Sequence, residues 1–254
     1  MPILSSLVQR VLGSWGWVAF PEWRLPQIPH ERHLRDIFAA YQIDCVLDVG
    51  GNLGQFRDLV RNGVGFKGPI LSFEPVRRYI DVLEKRAAAD PAWRILPFAL
   101  GSESTTQTIT LFNSPGLPSL LEADLNAMHE LLPGDAQVTG TEQVKIRRLD
   151  EVFAEATAAL PHKRVFMKLD TQGYDLEVLK GAGGALETVS VVQTELSMLP
   201  IYHGMPDYRT AIQALNALGY EMSGLFPVAR DRDLRVAEMD CVMVRHSDRT
   251  RLSM

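Results

Sequence analysis

Asp44-Cys45-Val46-Leu47-Asp48-Val49-Gly50-Gly51-Asn52-Leu53-Gly54 is the stretch from which the fold is read. A largely apolar run stops at glycine, the pattern of a strand buried on both faces in a parallel sheet. Gly54 to Asn62 then reads as a helix that Gly63 and Gly65 end. The same unit recurs downstream. Pro69–Glu74 reads as a strand, Val76–Ala89 as a helix with Ile80, Leu83 and Ala87 inward, and Arg94–Leu100 as a third strand that contains Pro97. Arg164–Asp170 and Val189–Glu195 read as buried strands. Helices are predicted at Leu149–Thr157, from about Tyr174 to Lys180, and at Asp207–Leu218, where Asp207 is the cap and Gly219 the stop. Thr106–Phe112 alternates as an edge strand or hairpin arm, and Glu142–Arg148, Tyr220–Phe226 and Asp240–Arg245 read as strands. Upstream, a helix from about Glu31 carries Leu34, Ile37, Phe38 and Tyr41 on one face. Alternation of this kind predicts an α/β domain with a mostly parallel sheet.

The composition agrees. Apolar residues make up 46% of the 254, enough for a full core and too many for a disordered chain. No window approaches the ~20 consecutive apolar residues of a membrane span. A net charge of −5 gives no electrostatic footprint for nucleic acid. Cys45 and Cys241 are the only cysteines, too few for a disulfide framework or zinc cluster, so a reducing cytoplasm is expected.

Residues 1–30 have a different character. Leu4, Leu7, Val8, Val11 and Leu12 share a helical face, while Ser5, Ser6, Gln9 and Arg10 break the run a signal peptide needs. Trp15, Trp17, Trp23, Pro21, Pro26 and Pro29 follow as an extended arm. The expected role is packing on the domain or on a second subunit, as in a homo-oligomer. A surface for a membrane or lipid-like substrate is the sharper alternative. The domain proper spans 31–246, with 247–254 a tail. Residues 113–141 are the least regular, with a short helix expected within Leu120–Leu132, and read as a lid or substrate loop.

The glycine spacing narrows the ligand. No frame fits the G-x-G-x-x-G of dinucleotide binding, and no Walker A loop occurs. Acid-x-Gly-x-Gly-x-Gly does fit, with Asn52 at the middle glycine, a pattern similar to that of S-adenosylmethionine (SAM) sites. Asp48 can hold the methionine ammonium by a charge-assisted hydrogen bond. Gly50 and Gly54 let the methionine and ribose lie close on the backbone. Glu74, within Phe73-Glu74-Pro75, ends the second strand, where an acid accepts from both ribose hydroxyls. An acid there suits NAD equally, so a nucleotide-linked oxidoreductase is one alternative. A noncatalytic binding module of the same fold is another.

These residues, with the ordered set that follows them, resemble the FkbM family of SAM-dependent methyltransferases over about residues 44–245. The set comprises Asp48–Gly54, Phe73-Glu74-Pro75, Pro97–Gly101, Arg148–Glu151, Lys168–Tyr174, Leu179–Ala182, Gln193-Thr194-Glu195, Leu199–Gly204, Leu218-Gly219-Tyr220 and Met239–Val242. Gly51 stands where the family commonly has Ala, Asp175 where Glu is usual, and His203 where an acid is expected. The resemblance implies a class I, Rossmann-like fold: a mostly parallel seven-stranded sheet with helices on both faces, here with an N-terminal helical extension. It also implies SAM as methyl donor and a hydroxyl acceptor on a sugar, glycolipid or secondary metabolite. Asp48, Gly50, Gly51, Asn52, Gly54, Glu74 and Pro75 would bind SAM, with Ala99 and Leu100 near the adenine.

An alcohol is a weak nucleophile at neutral pH, so a base or metal must deal with its proton. Asp170 and Glu195 each end a buried strand and are the leading candidates, as base and partner or as oxygen ligands of a divalent ion. His203, with an ordinary pKa near ~6.5, is the third. Gln172, Tyr174, Ser119 and Tyr202 are candidates for shaping the pocket.

Overall fold

The computed structural model describes residues 14–15, 17, 21–131, 136–160 and 164–245. The expected helix through Leu4–Leu12 and the tail at 247–254 lie outside the described residues. Trp15 and Trp17, which are described, are exposed.

The main sheet contains β1 (Cys45–Val49), β2 (Ile70–Phe73), β3 (Trp93–Leu96), β7 (Val165–Leu169), β8 (Val189–Ser197), β9 (Tyr220–Arg230) and β10 (Val236–Arg245). Their order across the sheet is β3-β2-β1-β7-β8-β10-β9. Pairings from β3 to β8 are parallel, and β10 runs antiparallel to both neighbours. A second sheet, ordered β4-β6-β5, is built from β4 (Ala99–Leu100), β5 (Thr105–Phe112) and β6 (Val138–Arg147).

Side chains alternate across the main sheet and meet a helical layer on each face. Cys45, Leu47, Val49, Val165, Met167 and Leu169 pack with α5 (Leu149–Thr157), α6 (Asp175–Ala182) and α7 (Tyr208–Ala217). Val46, Ile70, Phe166, Val191 and Val242 pack with α1 (Ile28–Ala40), α2 (Gln55–Asp58) and α3 (Arg77–Ala87). A short α4 (Leu125–Leu131) covers the second sheet's end of the molecule, its Met128 buried with Phe112 and Tyr202. This is the class I methyltransferase architecture. Among the described residues no helix is long and apolar enough to cross a membrane.

Four local expectations change. Arg94–Leu100 is two strands, because Pro97 cannot donate to a ladder and Phe98 N–H turns back to Leu96 O. Ala99 and Leu100 therefore pair with β6. The helix at Gly54–Asn62 has only four α residues, then continues as a π-helix over Leu59–Val64 to a left-handed Gly65. Helix α1 starts at Ile28, so Pro29 belongs to its first turn, where the missing N–H has no partner to lose. The irregular segment ends before residue 141, because β6 already begins at Val138, while the short helix expected within Leu120–Leu132 forms as α4.

Candidate active site

The chain leaves β1 for β2 on one side, and β7 lies on the other. Ligands bind open α/β sheets at such a switch point, at the carboxyl ends of the strands. A cavity of about 1170 Å³ opens there. Its lining includes Gly50, Gly51, Asn52, Glu74, Pro75, Ala99, Leu100, Asp170 and Glu195, nine of the predicted residues.

The glycine loop is tied to β2. Gly50 and Gly51 N–H groups both donate to Phe73 O, and Asn52, itself at positive φ, donates its N–H to Glu74 Oε2 at 2.7 Å. Val76 N–H donates to Glu74 Oε1 at 2.9 Å. Each Glu74 oxygen has one remaining lone pair. Burial pushes the Glu74 carboxyl up to about 7, against the pull of those two backbone donors. The Asn52 amide donates to Pro115 O, which draws loop 114–120 over the site, while its buried Oδ1 has no hydrogen-bond partner among the described residues.

Two predicted binding residues do not line the cavity. Asp48 lies beneath the loop, fully buried, in a polar row set by strand register: Ser72, Asp48, Lys168 and Gln193 are partners on β2, β1, β7 and β8. Ser72 Oγ donates to Asp48 Oδ2 at 2.7 Å, and Lys168 Nζ stands 3.9 Å from Oδ1. Gly54 faces protein as well. A Cβ there would lie 2.8 Å from the Trp93 ring, so the absence of a side chain makes room for that packing. At Gly50 a Cβ would lie 2.0 Å from Asp170 O, so its absence lets the ends of β1 and β7 meet.

The other wall is acidic. Asp170 directly follows β7, Glu195 lies inside the adjacent β8, which runs on to Ser197 and so past the expected end at Glu195, and Glu238 and Asp240 reach the same cavity from β10. Lys168 Nζ is 2.8 Å from Asp170 Oδ2. Burial opposes its charge, yet Asp170 and Asp48 hold the ammonium above its ordinary range. Burial and then Asp170 push Glu195 well up, and burial with the same neighbour raises Glu238 to about 7. Gln172 Nε2 lies between the first pair, donating to Asp170 Oδ1 and Glu195 Oε2. Among the described residues no group of three or more His, Cys, Asp or Glu is placed to hold a metal ion.

His203 is exposed and lies outside the cavity lining. Its backbone N–H is fastened to Glu122 O, which leaves the ring in solvent. Tyr202 beside it is buried, its hydroxyl donating to Leu117 O. Ser119 is buried too, with Oγ donating to Gln172 O at 2.9 Å. Sequence reasoning assigned no role to Lys168, Gln193, Glu238 or His30. His30 lines the cavity from α1, with Nε2 3.1 Å from Gln193 Oε1 and Nδ1 3.4 Å from Asp240 Oδ2. Strand register was the missing signal for the first three, and the early start of α1 for the last.

The sheet order, the glycine loop after β1 and the acid after β2 define a class I methyltransferase. The chain belongs to the FkbM methyltransferase family: residues 48–222, more than half of it, match the Methyltransferase FkbM domain. It is similar to the hexuronic acid methyltransferase AglP of Haloferax volcanii, at 25% identity over 68% of this chain and 65% of that one. It is also similar to the methyltransferase sdnD of Sordaria araneosa, at 28% identity over 59% and 64%. The matched part thus spans just under two thirds of either relative. The crystal structure of a methyltransferase FkbM from Methylobacillus flagellatus aligns with 80% of this chain and 43% of its own, at 15% identity and a TM-score of 0.49.

Proposed function

We propose that the protein is a SAM-dependent O-methyltransferase acting on a hydroxyl of a sugar, glycolipid or secondary metabolite. One observation carries the reading. Asp170 and Glu195 face the same cavity as Gly50–Asn52 and Glu74, so a nucleoside end and a proton-accepting end share one space.

The residues present suit the cofactor. Glu74 retains a lone pair on each oxygen for ribose hydroxyls, and the buried Asn52 Oδ1 lacks a donor among the described residues. Ala99 and Leu100 supply apolar surface suited to an adenine. When bound, SAM supplies an electrophilic methyl on a sulfonium, and the protein's part is position and proton handling. Asp170, beside Lys168 Nζ at 2.8 Å and open to the cavity, accepts the acceptor hydroxyl's proton. Glu195, pushed up by burial and by Asp170, orients the acceptor by hydrogen bonding. The family membership and the sugar named for AglP favour a carbohydrate acceptor.

Calorimetry with S-adenosylhomocysteine and with NADH tests the cofactor. Binding of the former alone is expected, and the reverse overturns the proposal in favour of an oxidoreductase. Labelled SAM with a panel of uronic acids, neutral sugars and phenols identifies the acceptor. Activity that survives EDTA separates proton transfer by carboxylates from a metal-assisted route.

A further inference from the structure

Gln172 holds a backbone conformation that glycine normally takes, at φ +52°. An L side chain remains there only where surrounding contacts over-determine it. Those contacts are specific. Nε2 donates to Asp170 Oδ1 at 3.2 Å and to Glu195 Oε2 at 3.0 Å. Oε1 accepts a long bond of 3.4 Å from the Tyr202 hydroxyl. The backbone carbonyl accepts from Ser119 Oγ, on the loop over the cavity. One amide therefore bridges two carboxylates from neighbouring strands and ties both to that loop.

We infer that Gln172 is a positioning residue for the Asp170–Glu195 pair, its amide keeping the two carboxylates separate, oriented and facing the cavity. Its catalytic consequence rests on the methyl-transfer reading, while its effect on the carboxylates does not. Two carboxylates left facing each other share a proton, and one of them titrates high. A donor N–H between them favours the charged form of each. The other groups facing the pair are Lys168 on β7, Asp48 on β1, Asp175 at the start of α6, Glu238 and Asp240 on β10, and Tyr202. His30 on α1 faces Asp240. All of them are retained when only position 172 changes.

Gln172→Gly is the sharpest variant, because glycine adopts positive φ freely while the amide is lost. Its melting temperature is expected to equal or exceed that of the wild type. Carbon-13 NMR titration of Asp and Glu carboxyls, on the full chain without any acceptor, should show the pair's upper apparent pKa rising by about one unit. With an acceptor, kcat should fall about tenfold or more at unchanged KM for SAM. Gln172→Glu keeps the length but replaces donors by acceptors, and should raise the pair further. Unshifted carboxyls in both variants, whatever their stability, overturn the inference. Shifted carboxyls in a protein that transfers no methyl group support it and remove the methyl-transfer reading instead.

Discussion

Glu74 at the end of β2 and Asp170 at the end of β7 stand at equivalent places, one on each side of β1, yet they are held in opposite ways. Both Glu74 oxygens take backbone N–H groups, from Asn52 and Val76, and the residue is 4% exposed. Asp170 takes side-chain donors, Lys168 and Gln172, and its side chain is 36% exposed. Backbone partners come with the loop's path and cannot leave without it. Side-chain partners can exchange with a substrate. The first arrangement suits a shape-holding binding group, and the second a group that must gain and lose a proton.

Asp170→Asn tests that division hardest. A positioned base contributes about 10²–10⁴-fold, so kcat should fall by that order while affinity for S-adenosylhomocysteine, read by calorimetry, stays within about threefold. Wild-type turnover would remove Asp170 from the chemistry. Equal loss of binding and turnover would erase the contrast with Glu74.

Gly50→Ala strikes where the two sides touch. The new methyl would meet Asp170 backbone oxygen at 2.0 Å, in a left-handed conformation that already disfavours L residues. Neither backbone can move without breaking β1–β7 pairing, so a loss of about 3 kcal/mol or more in denaturant unfolding is expected. Gly54→Ala should lose about half as much, because the ends of the Arg86 and Trp93 side chains can yield.

Glu74 also leaves a pH signature. Its folded pKa of about 7 lies above the unfolded carboxyl value of about 4.5, so it favours the folded state below pH 4.5. That contribution, about 3 kcal/mol for a shift of this size, is lost as pH rises from about 4.5 through about 7. Melting temperature of the cofactor-free protein should fall across that window, and Glu74→Gln should flatten the slope. An unchanged slope would place the proton elsewhere, with Glu238 next in line.

The contrast between the two acids also explains what could be read from the chain. β1, its glycine loop and Glu74 form one contiguous pattern, with backbone partners implied by the turn, and so the strands and the family were legible. Spacing says that a glycine is needed, not which atom needs the room. At Gly54 an atom that needs the room is the Trp93 ring. The polar row from Ser72 to Gln193 depends on which residue of one strand faces which residue of the next, and a one-residue slip would dissolve it. Asp48 looked exposed to ligand for that reason, and Lys168 looked like any strand residue. Pro97 hid a change of sheet, and Pro29 hid the start of a helix that brings His30 to the cavity.

The smallest effect is expected at His203, and it marks the outer limit of the acidic wall. Chain proximity makes it look catalytic, because buried Tyr202 precedes it and bonds loop 114–120. The His203 backbone is fixed to Glu122, but the ring is exposed and outside the cavity lining. Exposed substitutions away from special features stay within about 0.5 kcal/mol. His203→Ala should therefore keep kcat within about twofold, with the acidic limb of the rate profile in place. Tyr202→Phe, which removes the hydroxyl from Leu117 and Gln172, should lower kcat more than His203→Ala does. If His203→Ala instead abolished turnover, proton transfer would belong to that loop, and Asp170 would be a binding group like Glu74.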